Sequence, residues 1–491
     1  MNQRFERRLN VGVWLVAGVS VAVIAGFTAP RIFSAWGVLS LPLTALILGG
    51  IIVSLLMPVQ LVPSFALAVY VLAPSTMLPS SGLFGAIPPV SAVLLIWAIR
   101  RIGLGHTPRE KPEQLSKVDL SEIATARKFR AVSSASAAAL LVWCVFTALF
   151  SGYQTSAVGW TISFVVGGLV PFLVTDAKSE ARALRTAWTR LSGVIGAYAI
   201  VEFALSQNIL YGALYSAAGR GSVQHWSVYR AEAGLGHPLF LGTFLAVGLT
   251  LAVGKWLESG KRSDFVIIML AGLGLLATVS RGSLLAAALA IAGVYAATLI
   301  YSKRATFSRL LILAVGAGLA LIGISQFDAL TERSGSVEAT RSSAARDYAL
   351  EVALATARAY NWIGSGPGSS SQSALQFGEG VVIESSILQL LVSIGIPGVL
   401  LFGFMTLAAT FVALRRFDFA AAGGMLAYLI SISGYNAIDS RRSMLIFLGC
   451  LLILVLNPSR SAAISDGTVS ENLLAGRGRT AQTRVSTRNK F

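Results

Sequence analysis

Apolar runs close to the length of a bilayer crossing recur along almost the whole chain. A helix needs about 20 mainly apolar residues to cross the hydrocarbon core. Hydrophobic residues make up 55% of the chain and charged residues only 12%. A chain of this composition is too apolar to be buried in the hydrophobic core of one water-soluble domain. The pattern predicts an all-α polytopic membrane protein with about 12–14 transmembrane helices. The runs lie at 11–29, 36–57, 59–76, 87–101, 132–150, 157–175, 186–206, 237–256, 264–279, 282–301, 307–325, 384–414, 419–435 and 443–457.

Two of these runs are weaker predictions than the others. Runs 59–76 and 87–101 are short, and Pro63 and Pro74 interrupt the first of them. The alternative interpretation is that the two together form re-entrant segments.

The basic residues indicate how the helices are oriented. The net charge is +17, but the basic residues are spread between apolar runs and are not clustered with aromatics, so they do not indicate a nucleic-acid partner. With a cytoplasmic N-terminus, 29 of the 39 Lys and Arg fall on the inner side, including all eight lysines. The positive-inside rule therefore predicts that both termini are cytoplasmic.

One long polar interval, 327–384, interrupts the apolar pattern and is predicted to lie outside the cytoplasm. Apolar residues at helical spacing between Ala344 and Trp362 predict a short amphipathic helix inside it. Tyr348, Val352, Ala355, Ala359 and Trp362 form the predicted apolar face. We therefore expect a partly helical extracytoplasmic cap.

Three places on the predicted outer side carry residues suited to chemistry. Arg230 precedes His237-Pro238 across a Gly-rich stretch, and Arg281 lies in the turn Thr278-Val-Ser280-Arg281-Gly282. An arginine beside a Gly-rich helix start can bind an anionic group, although each could equally be an interfacial anchor. Glu384 can act as a general base or can simply complement a helix N-terminus.

Cys144 and Cys450 both lie in apolar runs, and neither a metal site nor a disulfide framework is expected.

Taken together, these motifs resemble the O-antigen ligase and polysaccharide polymerase family. The order is Arg230 with His237-Pro238, then Ser280-Arg281-Gly282, then a large external loop containing Gly364-Ser-Gly-Pro-Gly368, then Glu384 and the stretch from Leu388 to Gly398. The resemblance covers roughly residues 193–433, and the sequence as a whole predicts three parts. These are N-terminal transmembrane helices in 1–192 with a cytoplasmic loop at 102–131, a ligase/polymerase-like membrane domain in 193–457, and a disordered cytoplasmic tail in 458–491.

The resemblance implies a metal-independent glycosyltransferase without cofactors in the bacterial inner membrane. Its donor would be an undecaprenyl-diphosphate-linked glycan, its acceptor a saccharide or lipid, and membrane lipid its surroundings. Arg230 and Arg281 would bind the diphosphate and stabilise the leaving group, and Glu384 would be the catalytic base. His237, Ser280 and Arg346 would complete substrate binding.

The sequence departs from the family at two positions. Leu239 follows His237-Pro238 where the family commonly has Asn, which puts a polar contact there in doubt. Lipopolysaccharide ligases have a His-Asn pair at the position of Glu384-Ser385, so the glutamate looks more like the chain polymerases.

A polysaccharide polymerase extending O-antigen, capsule or exopolysaccharide is therefore the leading prediction. A ligase joining finished glycan to a lipid or protein acceptor is the first alternative, and a transporter or flippase of lipid-linked sugar is the second. A chain-length regulator is a further candidate partner.

Overall fold

The computed structural model describes residues 40–73, 88–103, 117–174, 176–217, 228–301, 308–316, 337–378, 382–439 and 444–457. The predicted run 11–29 and the predicted tail 458–491 lie outside the described residues. So do the first part of the cap, 327–336, and three of its last residues, 379–381.

The described residues form helices joined by turns, with no strand among them, and the all-α prediction is confirmed. Most helix boundaries lie within a few residues of the predicted apolar runs, but α4 (Lys117–Leu149) begins 15 residues before its run and α7 (Lys178–Leu205) begins 8 residues before its run. The helices are α1 Ser40–Leu56, α2 Val62–Leu72, α3 Pro89–Gly103, α4 Lys117–Leu149, α5 Gln154–Phe164, α6 Val170–Leu173, α7 Lys178–Leu205, α8 Gly212–Ala217, α9 Pro238–Ser259, α10 Arg262–Ala277, α11 Arg281–Tyr301, α12 Val337–Ala359, α13 Ser370–Ala374, α14 Ser386–Arg415, α15 Phe419–Ser433 and α16 Leu445–Leu456. Residues 308–316 are also helical.

Five described segments are long and apolar enough to cross a membrane: Ala124–Leu149, Gln154–Leu173, Pro238–Ser259, Arg281–Tyr301 and Ser386–Arg415. They differ in how much of their surface the protein covers. In the most apolar stretch of α9, 89% of the residues are buried inside the protein, whereas in the corresponding stretch of α4 only 28% are buried. Helix α9 is therefore the centre of the bundle, and α4 presents an apolar face suited to contact with lipid.

Helix α14 is bent in the middle, although the sequence predicts one continuous run. Gly395 has φ 68°, which glycine adopts without a steric penalty, and Pro397 lacks the N–H that would continue the helix. The indole N–H of Trp143 on α4 donates to the carbonyl of Ile394 at 2.7 Å. The bend is thus tolerated because a neighbouring helix bonds to a carbonyl next to it.

The polar contacts divide the bundle into two ends. Ion pairs and arginine-to-carbonyl bonds join segments that are all predicted to be cytoplasmic, at the end where α9 finishes and α10 begins, which we call the basic end. The contacts are Arg101–Glu180 (3.1 Å), Arg185–Asp418, Lys255–Asp264 (3.0 Å) and Arg309 to the carbonyl of Leu257 (3.0 Å). The segments predicted to be outside meet at the opposite end, which we call the site end.

Two predicted boundaries fall inside helices of the structure. The predicted cytoplasmic loop 102–131 overlaps α4, which runs unbroken from Lys117 to Leu149 and includes the span Ala124–Leu149. Helix α7 also continues through the predicted boundary between residues 192 and 193. The division into domains stays a prediction.

The cap helix is confirmed, but its predicted buried face is wrong. Helix α12 covers residues 337–359, and of the five residues predicted to be apolar-facing only Val352 is buried, whereas Tyr348 is 49% exposed. The buried residues are Ala349, Val352, Ala353, Thr356 and Ala357, with the spacing of one helical face. Small residues define this face because α12 packs closely against α14, which large side chains would prevent.

Close packing of α7 against α10 depends on two glycines. A Cβ at Gly196 would overlap the carbonyl of Leu270, and a Cβ at Gly274 would overlap Gly196. Small residues let membrane helices approach backbone to backbone, where dispersion contacts replace the absent hydrophobic driving force.

We predict that Gly196→Ala lowers the thermal midpoint of the detergent-solubilised protein. Overpacking a close contact costs about 1–3 kcal/mol. Gly272→Ala is the matched control, because it lies on α10 and nothing is within 4 Å of the added Cβ. Equal midpoints for the two variants would contradict the packing described for α7 and α10.

Candidate active site

Arg230 is buried at the site end, in the loop that precedes α9. Arg230 is only 2% exposed, and its Nε donates a hydrogen bond to the carbonyl of Thr278 at 3.0 Å. The backbone N–H of Ala231 donates to the carbonyl of Ala277 at 3.0 Å. Both bonds engage carbonyls at the C-terminal end of α10, where a cation is favoured by the helix dipole. The loop is thereby docked beside the turn that carries Arg281.

The turn from Thr278 to Arg281 packs on the first part of α9. Ser280 Oγ donates to Ser283 Oγ at 3.0 Å, and both serines are buried. Gly242 makes room for them, because a Cβ there would lie 2.6 Å from Ser283 Oγ. Arg281 itself is exposed at the start of α11. The structure therefore brings the two predicted arginine motifs together on one side of α9, with one arginine buried and the other exposed.

His237 caps the N-terminus of α9. Its Nδ1 accepts a hydrogen bond from the backbone N–H of Leu239 at 3.2 Å, so the neutral ring carries its proton on Nε2. The side chain of Leu239, at the position where the family commonly has Asn, packs against the hydrophobic core. His237 is thus arranged as a donor rather than as a proton acceptor.

A hydrogen-bonded chain continues from α9 to the start of α14. The hydroxyls of Thr243 and Tyr435 lie 2.6 Å apart. The carbonyl of Tyr435 accepts from Ser386 Oγ at 2.8 Å, and the same oxygen of Ser386 accepts from the N–H of Ala437 at 2.8 Å. All four residues are buried. Ser386 is two residues from Glu384, so the third predicted motif joins the first two.

Glu384 forms an ion pair with the cap. Its Oε2 lies 3.1 Å from Nε of Arg346, and the two side chains are 45% and 58% exposed. The capping of α14 falls to Ser385 instead, whose hydroxyl accepts from the N–H of Leu388 at 3.4 Å. The carboxylate of Glu384 is therefore open to solvent and is not used up by the helix terminus, which was the alternative role expected for it.

The Gly-rich turn of the cap bonds to the bend in α14. The N–H groups of Ser365 and Gly366 donate to the carbonyls of Val392 and Ser393 at 2.9 and 2.8 Å. Gly364 approaches so closely that a Cβ would overlap the carbonyl of Ser393. The bend leaves carbonyls without helical partners, and the turn supplies them. Two motifs that are far apart in sequence are thus one structural unit.

Asp439 fixes the other side of this turn and was not singled out from the sequence. Its buried carboxylate accepts from the N–H of Gly368 at 2.9 Å, from the N–H of Ser370 at 3.0 Å and from the hydroxyl of Ser370. A carboxylate between two apolar runs is costly to bury and marks a functional or structural site. That cost was the signal available in the sequence.

Glu202 and Glu232 form a buried acidic pair that, like Asp439, was not singled out from the sequence. Both residues lie at the site end, where Glu202 is 0% exposed and Glu232 is 4% exposed. Burial, with a smaller contribution from the neighbouring Glu202 carboxylate, raises the pKa of Glu232 to about 7. An acid placed inside or beside an apolar run again was the available signal.

The structure also contains a cavity of about 280 Å³ at the site end of α4. Its lining is mainly apolar and comes from α4 and from the end of the cap helix. The lining residues are Phe146, Thr147, Phe150, Tyr360, Ile363, Gly364 and Ser365. None of the predicted site residues lines it.

A comparison with known protein families matches a segment that contains several of the residues described above. Residues 265–403 match the Wzy_C family model, described as O-Antigen ligase. No curated protein matches the chain. The match supports a glycan-processing membrane enzyme whose substrates are in general a lipid-linked glycan and an acceptor.

The matched segment contains Ser280, Arg281, Arg346 and Glu384, whereas Arg230 and His237 precede it. The loop that holds Arg230 is nevertheless bonded directly to the matched segment through Ala277 and Thr278. The matched segment, together with the loop that the structure bonds to it, is therefore similar to the O-antigen ligase family.

Proposed function

We propose that the protein polymerises polysaccharide from undecaprenyl-diphosphate-linked repeat units on the outer side of the bacterial inner membrane. The polymer would be O-antigen, capsule or exopolysaccharide. An acceptor hydroxyl attacks the anomeric carbon of the donor glycan, and the bond from that carbon to the diphosphate oxygen breaks. The hydroxyl proton passes to a base, and undecaprenyl diphosphate leaves with the bonding electrons. The energy for the new bond comes from the donor itself.

The observation that carries this proposal is the continuous set of contacts at the site end. The loop of Arg230 bonds to the turn before Arg281, that turn packs on α9, and α9 bonds through Tyr435 to Ser386 beside Glu384. Two cations and one carboxylate are thus held on one framework. A diphosphate leaving group needs cations, and an attacking hydroxyl needs a proton acceptor.

The two arginines have different roles in this proposal. Arg230 is buried and fixed by Thr278, so it contributes a positive charge that needs no reorganisation when the donor binds. Arg281 is exposed, so its planar guanidinium can approach phosphate oxygens bidentately. Ser280 and His237 border the same turn and complete the proposed contacts to the substrate.

Glu384 is the proposed base, and Arg346 holds it. The exposed carboxylate can accept a proton from a sugar hydroxyl arriving from solvent. His237, the alternative base among the described residues, already uses Nδ1 to accept a hydrogen bond, which leaves Nε2 as a donor. Glu379, a second glutamate close in sequence to the same surface, lies outside the described residues.

The glutamate at position 384 favours chain polymerisation over transfer of finished glycan to a lipid or protein, because ligases of the family resemble one another in having histidine there. A flippase is the less favoured alternative, since a path for transport has no need of a carboxylate presented to solvent. A chain-length regulator remains a proposed partner.

We predict that Arg281→Lys lowers polymer formation in isolated membranes by about 10- to 100-fold, since one charge-assisted hydrogen bond contributes about 1.5–3 kcal/mol. An ammonium keeps the charge but cannot reproduce the fork of the guanidinium. Arg358→Lys is the control, because Arg358 is exposed on the last turn of the cap helix. Wild-type rates in Arg281→Lys would remove Arg281 from the site.

For Glu384→Gln we expect turnover to fall by roughly 10²–10⁴, because the amide keeps the shape but does not accept the proton. Polymer length and rate would be compared at equal protein abundance. Glu351→Gln, an exposed glutamate on the cap helix, is the matched control.

Arg346→Gln separates catalysis from pairing. An exposed ion pair contributes about 0–1 kcal/mol, so if Glu384 served only to pair with Arg346, both variants would lose equally little activity. A large loss in Glu384→Gln with a small loss in Arg346→Gln supports the base, and equal small losses exclude it.

We place both termini in the cytoplasm and the cap outside. Ser371 is exposed in α13. In the variant Ser371→Cys, an impermeant maleimide should label the new cysteine in cells whose inner membrane is intact. Arg182→Cys, exposed at the basic end, should be labelled only after that membrane is permeabilised. Both native cysteines are buried and give little background. The reverse labelling pattern would invert the orientation.

A further inference from the structure

Three hydrogen bonds around Arg230 converge on the carboxylate of Glu202, at the site end of α7. Oε1 accepts from the hydroxyl of Tyr229 at 3.1 Å and from the N–H of Glu232 at 3.0 Å, and Oε2 accepts from the N–H of Ala233 at 2.9 Å. Glu202 is fully buried. Its three donors lie on both sides of Arg230 in the sequence, so the carboxylate holds the loop at both ends of the arginine.

The loop needs such a partner because its regular structure here is limited to a single 3₁₀ turn, Ala233–Leu235. Glu232 and Ala233 are buried, and a buried N–H without an acceptor is strongly unfavourable. Ala233 also has φ 48°, a left-handed conformation that non-glycine residues rarely adopt unless the surroundings impose it. The two successive N–H groups that meet Glu202 impose this conformation.

Arg230 is held from the opposite side by α10. Its Nε bonds to Thr278, and the next residue, Ala231, bonds to Ala277. The arginine is therefore clamped between the end of α7 and the end of α10. Removing either side would leave the loop around Arg230 bonded at one side only.

Glu232 places a second acid directly beside the clamp. The groups that interact with it are Glu202 and Tyr198 from α7, the neutral amide of Asn208 after α7, and Tyr229 on its own loop. With its pKa raised to about 7, the carboxyl is neutral in mildly acidic solution and charged above neutrality.

We propose that Glu202 is the positioning residue of Arg230, and that ionisation of Glu232 beside it loosens the clamp as the pH rises. The inference rests on the proposed function, since Arg230 is taken to meet the donor diphosphate. Because the folded pKa of Glu232 lies above its unfolded value, ionisation opposes the folded loop. Stability of the loop is then lost as the pH rises towards 7, and the loss is complete above it.

A double-mutant cycle tests the positioning role. We expect Glu202→Gln to raise the KM for an undecaprenyl-diphosphate-linked repeat unit by about 10- to 100-fold, since buried N–H groups lose a charged acceptor. In an Arg230→Lys background the same change should add little, because Glu202 acts through Arg230. Effects that multiply in full would overturn the proposal.

Glu180→Gln is the matched control for loss of a buried carboxylate. Glu180 lies on the same helix and pairs with Arg101, but it is about 33 Å from Glu202 at 1.5 Å per helical residue. Its effect on KM should be small and independent of Arg230. Tyr229→Phe removes one donor without a charge change and should raise KM in the same direction as Glu202→Gln, which keeps the test decisive if that variant folds poorly.

The pH profile gives a second readout. Between pH 6 and pH 8 the wild-type KM should rise several-fold, and Glu232→Gln, which stays neutral, should flatten that rise. An unchanged profile in Glu232→Gln contradicts the proposed role of Glu232. Failure of the proposed function is distinguishable, because wild-type protein would then turn over no lipid-diphosphate donor at any pH.

Discussion

Pairing of backbone polar groups in apolar surroundings is the constraint on which the site end depends. Regular helices satisfy it alone, but α14 bends at Gly395 and leaves carbonyls without helical partners. Trp143 and the turn at Ser365 and Gly366 provide the missing donors. Since Asp439 then holds the far side of that turn, the cap is fixed to the membrane helices by hydrogen bonds. This arrangement places Arg346 of the cap beside Glu384.

The same constraint explains why the arginine loop has acidic support. Arg230 lies in an irregular, buried segment, and its neighbours bond to Glu202 on one side and to α10 on the other. Arg281 needs no such support, because it begins a helix and is exposed. A buried, fixed cation and an exposed one fit the two demands of the proposed reaction, which are binding the diphosphate and stabilising its charge as the bond breaks.

Helix positions were predictable from the sequence because hydrophobicity is a local property. The run predicted at 237–256 is α9, and the run predicted at 282–301 is α11. The orientation of the cap helix was not predictable, since small residues such as Ala353 and Ala357 face α14 while Tyr348 is exposed. Tyrosine has the larger side chain to bury, but the close approach of α12 to α14 leaves room only for small residues on the facing side.

The site was predictable as a set of residue types but not as a framework. Arg230, Arg281 and Glu384 each stood out as charges beside apolar runs, and their segments do meet. Their actual partners, which are Thr278 for Arg230 and Arg346 for Glu384, come from other segments of the chain. The role of Glu202 depends on a contact across about thirty residues of sequence, and no local pattern specifies such a contact.

The most direct test of the central claim is turnover by purified protein in lipid bilayers, supplied only with an undecaprenyl-diphosphate-linked repeat unit. We predict a ladder of glycan lengths on the lipid and release of one undecaprenyl diphosphate for each bond formed, without added metal or nucleotide sugar. Movement of the donor across the bilayer without any new glycosidic bond, or a donor that remains unchanged, would contradict the assignment of a polymerase.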